Sequence, residues 1–429
     1  MQVPTPPKGT RDFYPEDMAF QEFIFSSWHR TCRRYGFELF DGPMFESLSV
    51  YTQKSGAEIE QQLYAFPDKA GRMMALRPEM TPTLARMVAA RGTALKRPIR
   101  WYSFPRLFRY EKMQKGRLRE FFQLNMDILG ADDILADAEL IAASIDMMRD
   151  LGFASADFTA RISSRGLLEQ VFASMGVAGG SMPAIYAILD KKHKVPPEEF
   201  VRELTEVLPD ASQRARVDAV LSAQSLEDVR AIAGDLPAIG QLTALLSHLA
   251  SYGFSEYAEF DVGIVRGLAY YTGIVFEIFD KARSLRAIAG GGRYDHLVKS
   301  YGGPDTPAIG FAAGDVVLAE LMRAKGIMPP ASPRSSVFIA ALDDMFPDGT
   351  IRLAQTLRAA GVSCEFSLKA TGLGKQFKQA DGIGARLVVI AGGEEEKQGC
   401  VKVKNMGTGA EELVKKEQLV EKIRTDLHS

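Results

Sequence analysis

The chain has 429 residues, of which 46% are hydrophobic and 25% charged, and its net charge is −2. This length suggests about two to four globular domains, and the balanced charge excludes a globally basic nucleic-acid binder. Three scattered cysteines, Cys32, Cys364 and Cys400, exclude a disulfide framework and predict a reducing compartment. No apolar run reaches membrane-spanning length, and "MQVPTPPKGTRDFYPED" lacks an apolar core, so we expect a cytoplasmic protein without membrane association.

The first 150 residues combine predicted helices with predicted antiparallel strands. Helical spacing predicts a helix from Met18 to about Tyr35, and "FELFDGPMFES" predicts a strand interrupted by its Gly-Pro pair. "QLYAFPDKAGRMMALRP" predicts a hairpin, and "TPTLARMVAARG" predicts a helix with Thr81 as N-cap and Pro82 as first residue. "IRWYSFPRLFRYE" and "REFFQLNMDILG" predict a long antiparallel hairpin, followed by the amphipathic helix "DILADAELIAASIDMMRDLG".

The remaining chain divides into three regions of different character. Residues from about 166 to 249 predict a helical insertion, after which strands return in "FDVGIVRGLAYYTGIVFEIFD" and "AIAGGGRYDHLV". The Pro-rich "GIMPPASPR" predicts a linker, and alternating strands and helices beyond it predict a small α/β domain with a mostly parallel sheet. We therefore expect a first domain at 1–325, a linker at 326–334 and a second domain at 335–429.

The hairpin "RYEKMQKGRLREFFQ" carries a concentrated set of charges. Arg109 and Arg117 bracket its loop, with Glu111 and Phe121 on the two strands. Arginine offers a planar, permanently charged fork that suits phosphate oxygens, while a carboxylate and an aromatic face suit a purine. The same four residues could instead form cross-strand ion pairs on an exposed surface. The spacing alone leaves both interpretations open.

Two further stretches place charge beside apolar sequence. In "LRPEMTPT", Glu79 and Thr81 lie where a predicted strand ends and a helix begins. The two residues could bind the ammonium group of a ligand, or they could be only a helix N-cap and the acid beside it. In "GIVRGLAYY", Arg266 interrupts a predicted apolar strand, where a cation needs either a substrate or an internal ion pair. A regular strand would point Tyr270 and Tyr271 to opposite faces, so at most one would share a cavity with Arg266.

These segments, in this order, resemble the histidyl-tRNA synthetases, a family of class II aminoacyl-tRNA synthetases. "GTRDFYPED" resembles the family's N-terminal signature, and "FDGPMFE" resembles class II motif 1, a dimer-interface element. "FRYEKMQKGRLREFFQLNMDILG" resembles motif 2, and "LRPEMT", "VRGLAYYTG" and "GGGRYDHL" are similar to signatures of the histidine enzyme. "LGKQFKQADGIGARLVVIAG" is similar to the family's anticodon-binding domain.

The resemblance implies an α+β fold, in which an antiparallel sheet is flanked by helices, assembled as a homodimer. It implies ATP as a substrate, with Mg2+ on its outer phosphates, and L-histidine and tRNA(His) as the other substrates. The ATP-binding residues it implies are Arg109 on the α-phosphate, Glu111 on the adenine amine, Arg117 on the outer phosphates and Phe121 under the ring. It assigns no resident metal site.

The resemblance also implies the amino-acid and tRNA contacts. Catalysis would fall to Arg109 and Arg266, with Arg266 standing where other class II enzymes place a metal ion. The histidine-binding residues implied are Glu79, Met80, Thr81, Arg109, Gln123, Asp127, Arg266, Tyr270 and Tyr271. Gln114 would face the acceptor end of the tRNA. Lys375 and Lys378 would contact phosphates or form a solvated helix face.

One departure from the family pattern concerns motif 3. The family has a Glu-Arg pair there, and "AIGFAAGDVVLAEL" places Val316 and Val317 at those positions. Because valine cannot bind phosphate, we expect Arg293 or Arg323 to substitute, or ATP to be bound less tightly. The departure keeps an alternative open, a histidine-binding regulatory subunit of ATP phosphoribosyltransferase, although such subunits typically lack the anticodon-binding domain and tend to lose motif 2 residues.

Overall fold

The computed structural model describes residues 3–53, 61–177, 179–191, 195–266, 268, 270–329 and 335–428. The chain separates into two compact units, Met1–Pro329 and Pro330–Ser429. Most of the predicted linker, 330–334, lies outside the described residues.

The first unit contains twelve α-helices among its described residues. They are α1 Pro15–Arg34, α2 Leu48–Thr52, α3 Thr81–Arg91, α4 Ile134–Asp150, α5 Arg165–Ser174, α6 Met182–Lys191, α7 Pro197–Val207, α8 Ala211–Leu221, α9 Leu226–Ala233, α10 Pro237–Ser251, α11 Leu297–Ser300 and α12 Asp315–Ala324. Between 165 and 251 the described residues contain helices and no strand, in agreement with the helical insertion expected there. We call residues 165–251 the helical segment.

The strands of the first unit form a nine-stranded sheet and a small three-stranded sheet. The large sheet contains β1 Glu38–Leu39, β5 Ile99–Ser103, β6 Arg106–Phe108, β7 Glu120–Leu129, β8 Phe158–Ser164, β9 Ala258–Phe260, β10 Ile274–Asp280, β11 Ala289–Arg293 and β12 Ala308–Gly314. Its order is β1-β5-β7-β12-β11-β10-β8-β9, with β6 paired to β7. The pairings are antiparallel except for β1 with β5 and β8 with β9 at the two ends.

Long apolar helices cover this sheet because their buried faces match its apolar residues. Ile24 and Trp28 of α1, Leu140 of α4 and Leu124 and Met126 of β7 are fully buried in one hydrophobic core. Strand β7 is only partly buried at its first four residues and fully buried from Leu124 onward. The buried half of β7 therefore anchors the sheet, and the partly buried half is the more accessible one.

The small sheet contains β2 Phe45–Ser47, β3 Ala65–Pro67 and β4 Met73–Leu76, in the order β2-β4-β3. Phe45, Phe66 and Met73 are each more than one-third exposed on it. These three side chains therefore leave apolar surface of the small sheet in contact with water.

The second unit is an α/β domain with a separate five-stranded sheet in the order β14-β13-β15-β16-β17. Its strands are β13 Val337–Ala341, β14 Cys364–Phe366, β15 Leu387–Ala391, β16 Cys400–Asn405 and β17 Glu411–Lys415. Its helices are α13 Asp348–Ala359, α14 Leu373–Gly382, α15 Glu394–Lys397 and α16 Leu419–His428. The expectation of a mostly parallel sheet was wrong, because charged side chains alternate with apolar ones in β16 and β17, which pair antiparallel at one edge.

The α+β fold class predicted from the sequence is confirmed, with helices on a largely antiparallel sheet and a C-terminal α/β domain. Among the described residues, no helix combines the length and the apolar character needed to cross a membrane.

Candidate active site

A cavity of about 380 Å³ opens in the first unit over strands β7, β11 and β12. The predicted site residues that line it are Glu79, Thr81, Arg109, Glu111, Arg117, Phe121, Gln123, Asp127, Arg266, Tyr270 and Tyr271. They come from three stretches of chain, 79–81, 109–127 and 266–271, so the fold brings together eleven of the thirteen residues of the first unit that the resemblance singled out.

The two exceptions lie beside this cavity or beneath it. Met80 is buried, and its terminal methyl group packs near Gly42. Gln114 lies at the tip of the β6–β7 loop, where it pairs with Arg117 and lines a second cavity, of about 260 Å³. Both assignments stay predictions.

The β6–β7 hairpin forms one end of the main cavity and carries its own ion pair. Arg117 Nη1 lies 2.7 Å from Glu111 Oε2, so these two residues are paired with each other, which was the alternative to nucleotide binding. Arg109 Nε donates to the carbonyl oxygen of Pro78 at 2.8 Å, and its guanidinium lies 5.4 Å from the centroid of the Phe121 ring. Its Nη1 lies 4.0 Å from Glu111 Oε1, so the guanidinium has only a distant charged partner besides its Nε hydrogen bond.

Two buried carboxylates mark the opposite end. Tyr270 donates to Glu79 Oε2 at 2.9 Å, and Tyr294 donates to Asp127 Oδ1 at 2.6 Å. Burial raises the pKa of Asp127 to about 7, although the Tyr294 hydrogen bond opposes that rise. Acids held in this way suit a ligand that brings its own positive charge or N–H groups.

Glycines on β11 and β12 make room for the charged side chains. A Cβ atom at Gly290 would overlap Arg266 Nη1, and one at Gly310 would overlap Asp127 Oδ1. Gly310 is also the residue that pairs with Asp127 across the two strands. The run "GGGR" is therefore explained by close approach of side chains and not by a phosphate-binding loop.

Arg266 lies in irregular chain, and its prediction as part of a strand was wrong. The described residues between β9 and β10 contain no strand, and Arg266 has the left-handed φ of 54°, uncommon for a residue other than glycine. Its Nη1 lies 3.1 Å from Glu277 Oε1 on β10, so the cation has an internal partner as well as access to the cavity. Because strand alternation does not apply, Tyr270 and Tyr271 both line the cavity, against our expectation.

Helix α3 begins one residue earlier in the chain than predicted. Met80 is its N-cap and Thr81 its first helical residue, so the assignment of Thr81 as N-cap was wrong. The N-cap makes no side-chain hydrogen bond to the helix, because methionine has no suitable acceptor. Thr81 consequently presents its side chain at the cavity from the first turn.

Among the lining residues missed from the sequence, four have amide or charged side chains, namely Gln62, Asn125, Glu277 and Arg286. Glu277 carried a usable signal, since it is the one acid inside the apolar strand "IVFEIF". Asn125 lies two residues from both Gln123 and Asp127 along β7, so its side chain faces the same side of the sheet as theirs. The other two lie outside regular strands, where no periodicity identifies them.

Neither arginine proposed to replace the motif 3 residue reaches the cavity. Arg293 is buried, is paired with Asp137 and Asp295, and is not among the lining residues of the cavity. Arg323 lies over the Phe20 ring and lines only the second cavity. Among the described lining residues, the remaining cation besides Arg109, Arg117 and Arg266 is Arg286, which is exposed.

Comparisons with known proteins agree across the whole chain. Residues 9–315 match the family model described as histidyl-tRNA synthetase, and residues 336–426 match that of an anticodon binding domain. The chain is 41% identical over 423 residues to the histidine–tRNA ligase of Opitutus terrae, covering 97% of each. It is 40% identical over 413 residues to the chloroplastic/mitochondrial histidine–tRNA ligase of Arabidopsis thaliana, covering 96% of this chain and 85% of that one.

Solved structures agree in fold. The chain is similar to the crystal structure of histidyl-tRNA synthetase from Nostoc sp. PCC 7120, with a TM-score of 0.81 at 24% identity, covering 99% of this chain and 100% of the other. It is also similar to a Bacillus halodurans structure described as an ATP phosphoribosyltransferase regulatory subunit/histidyl-tRNA synthetase, with a TM-score of 0.74 at 24% identity, covering 92% and 100%. Because sequence identity over nearly full length accompanies the two family-model matches, the chain belongs to the histidyl-tRNA synthetase family.

Proposed function

We propose that this protein is a histidine–tRNA ligase that charges tRNA(His) in two steps. The histidine carboxylate attacks the α-phosphorus of ATP, which forms histidyl-adenylate and releases pyrophosphate. The 3′-terminal hydroxyl of the tRNA then takes the histidyl group and releases AMP. The observation that carries the proposal is that Arg109 and Arg266 line one cavity with the buried acids Glu79 and Asp127.

Arg109 and Arg266 are the residues we assign to catalysis. Negative charge builds on the phosphate oxygens as the α-phosphorus is attacked, and fixed cations in a partly dry site stabilise that charge without reorganisation. Arg109 retains its Nη donors beyond the Pro78 hydrogen bond, and Arg266 retains donors beyond Glu277. Both are oriented before substrate arrives, which is the condition for this kind of stabilisation.

The hairpin supplies the ATP contacts in this proposal. Phe121 supports the adenine ring, Glu111 accepts from its amino group, and Arg117 binds the outer phosphates. Arg117 is 33% exposed in its ion pair with Glu111, which is 9% exposed, so ATP binding requires this acid to exchange the guanidinium for the adenine amino group. No group of three or more His, Cys, Asp or Glu among the described residues could hold a metal, so Mg2+ would arrive on the ATP phosphates.

The opposite end of the cavity accommodates histidine. Glu79, Asp127 and Gln123 bind its ammonium and imidazole groups, while Thr81, Tyr270 and Tyr271 shape the pocket and Met80 supports the start of α3 from below. A polar pocket of this kind rejects amino acids that lack matching N–H groups, because they cannot supply the hydrogen bonds that its polar groups make with histidine.

The regulatory-subunit alternative is less well supported. The curated relatives are named histidine–tRNA ligase, and the C-terminal domain matches an anticodon-binding model. Gln114 at the loop tip and the exposed Lys375 and Lys378 on α14 are our candidates for tRNA contacts.

Purified protein with Mg2+ should catalyse histidine-dependent exchange between ATP and pyrophosphate. In Arg266→Ala the exchange rate should fall about 100- to 1000-fold, because one fixed cation facing the transition state is lost. Histidine affinity, measured by calorimetry, should fall much less. An equal loss of rate and affinity would make Arg266 a substrate anchor only, and no exchange in the wild type would favour the regulatory subunit.

Arg286 is our candidate for the phosphate contact that Val317 cannot make. Among the described residues it forms no ion pair, and it is exposed at the cavity. Arg286→Ala should raise the KM for ATP about 10-fold or more, as expected for a charge-assisted contact worth about 1.5–3 kcal/mol, and leave the KM for histidine unchanged.

Arg283→Ala is the matched control for Arg286. It removes an exposed arginine three residues away that pairs weakly with Asp261 and does not belong to the described cavity lining. Equal effects of the two substitutions on ATP would contradict the assignment.

Histidine affinity should depend on the ionisation of Asp127. Its carboxyl is neutral below a pKa of about 7, and a cationic ligand favours the ionised form, so binding below pH 7 releases a proton. Affinity should therefore rise with pH up to about 7 and then level off. Tyr294→Phe removes the hydrogen bond that lowers this pKa and should move the plateau to higher pH.

Asp127→Asn is the control for this pH dependence, because histidine itself titrates near pH 6.5. Calorimetry in buffers of different ionisation enthalpy measures the released protons. If wild type and Asp127→Asn release the same number at pH 6, Asp127 does not face the ligand charge.

We also propose a homodimer assembled through the small sheet. Its Phe45, Phe66 and Met73, with Leu39 and Met44 beside them, are between 39% and 57% exposed. Apolar clusters on a surface are typical of interfaces, and homo-oligomers most often have twofold symmetry.

Sedimentation equilibrium should give twice the chain mass of 47.1 kDa for the wild type. Phe45→Asp should shift the mass to that of the monomer, because a buried charge opposes an apolar contact. Leu413→Asp, at an exposed leucine of the second unit, should remain dimeric. A monomeric wild type at micromolar concentration would contradict the proposal.

A further inference from the structure

The chain between β9 and β10, residues 261–273, carries Arg266, Tyr270 and Tyr271 into the cavity without a helix or strand among its described residues. We call it the 261–273 segment. Buried carbonyl groups in irregular chain need hydrogen-bond donors, since no strand or helix ladder supplies them. Four of these carbonyl groups obtain their donors from a single side chain, that of Arg165.

Arg165 is the first residue of α5 and directs its guanidinium at the 261–273 segment. Its Nη2 donates to the carbonyl oxygens of Arg266 at 2.7 Å and of Leu268 at 2.9 Å. Its Nη1 donates to that of Tyr271 at 3.1 Å, and its Nε to that of Val265 at 3.4 Å. The side chain thus holds the backbone on both sides of Arg266.

The surroundings of Arg165 indicate that its main role is to bind the carbonyl groups of the 261–273 segment. It is only 5% exposed, and it forms no ion pair with a carboxylate among the residues the structure describes. Burial lowers its pKa. A buried cation without a counter-ion is unfavourable unless dipoles compensate it, and the four carbonyl groups are the dipoles that do so.

Tyr186 connects Arg165, at the start of α5, to α6 of the same helical segment. Its ring centroid lies 4.8 Å from the Arg165 guanidinium, within cation–π range. Its hydroxyl lies 3.1 Å from the Arg165 carbonyl oxygen and 3.2 Å from Glu169 Oε1. Tyr186 therefore supports Arg165 through both its ring and its hydroxyl.

We propose that Arg165 is a positioning residue for the histidine end of the active site, and that Tyr186 couples it to α6 of the helical segment. The proposal rests on the histidine–tRNA ligase function given above. Arg165 touches neither substrate; it acts by fixing the backbone from which Arg266 and the two tyrosines project. Lysine cannot replace it, because an ammonium has three donors and no planar fork.

In the ATP–pyrophosphate exchange assay of the full chain, Arg165→Lys should change the kinetic constants for histidine much more than those for ATP. The efficiency kcat/KM for histidine should fall about 100-fold, which is the effect of displacing reacting groups by about 1 Å. The KM for ATP should change less than about 3-fold, because the hairpin contacts do not involve the 261–273 segment. Arg100→Lys is the matched control, an arginine that donates to a backbone carbonyl and an acid away from the cavity.

Amide hydrogen exchange supplies a readout that does not depend on activity. Peptides covering 261–273 should exchange faster in Arg165→Lys, while those of the 106–123 hairpin should be unchanged. Unchanged histidine kinetics, or equal losses for both substrates with faster exchange throughout the unit, would overturn the proposal. An inactive wild type would instead overturn the proposed function.

Tyr186→Phe tests the same coupling with a variant that keeps the packing. The loss of one hydrogen bond should lower kcat/KM for histidine about 2- to 10-fold and leave the KM for ATP unchanged. If Arg165→Lys does not fold, this variant decides the matter, and unchanged histidine kinetics in it would overturn the coupling through Tyr186.

Discussion

Burial of fixed positive charge is the constraint from which the active-site geometry follows. A guanidinium removed from water needs hydrogen-bond acceptors or aromatic rings arranged around it before any substrate is present. Arg109 obtains them from the Pro78 carbonyl and the Phe121 ring, and Arg266 from Glu277. Each arginine thereby keeps part of its fork directed at the cavity. Preorganised cations of this kind are what the transfer of a phosphorus-bound group requires.

The sheet beneath these charges is adapted to them residue by residue. Glycines at 290 and 310 remove the Cβ atoms that would overlap the side chains of Arg266 and Asp127. The carboxylates of Glu79 and Asp127, at the proposed histidine end, accept hydrogen bonds from the hydroxyls of Tyr270 and Tyr294. In the proposed function, one end of the cavity binds phosphate and the other binds the amino acid, and the two ends meet where the α-phosphorus would lie.

Most of the architecture could be predicted from the sequence because its periodicity was strong. The long helices, the motif 2 hairpin and the C-terminal strands and helices lie where their patterns predicted. The segment around Arg266 could not be predicted, because its apolar residues imitate a strand while tertiary hydrogen bonds from Arg165 hold it irregular. Strands β16 and β17 were missed because the alternating lysines of β16 and the two glutamates that begin β17 imitate a solvated surface. Arg286 and Gln62 carry no local pattern, and only the folded cavity identifies them.

Convergence of Arg109 and Arg266 on one phosphorus atom is tested most directly by a crystal structure with a non-hydrolysable histidyl-adenylate analogue. Both guanidinium groups should lie within about 3.2 Å of the oxygens at the α-phosphate position, the usual range for a hydrogen bond. The histidyl group should lie against Glu79 and Asp127. A structure in which either arginine keeps only its present internal partners, and points away from that position, would contradict the assignment of this cavity as the site of adenylate formation.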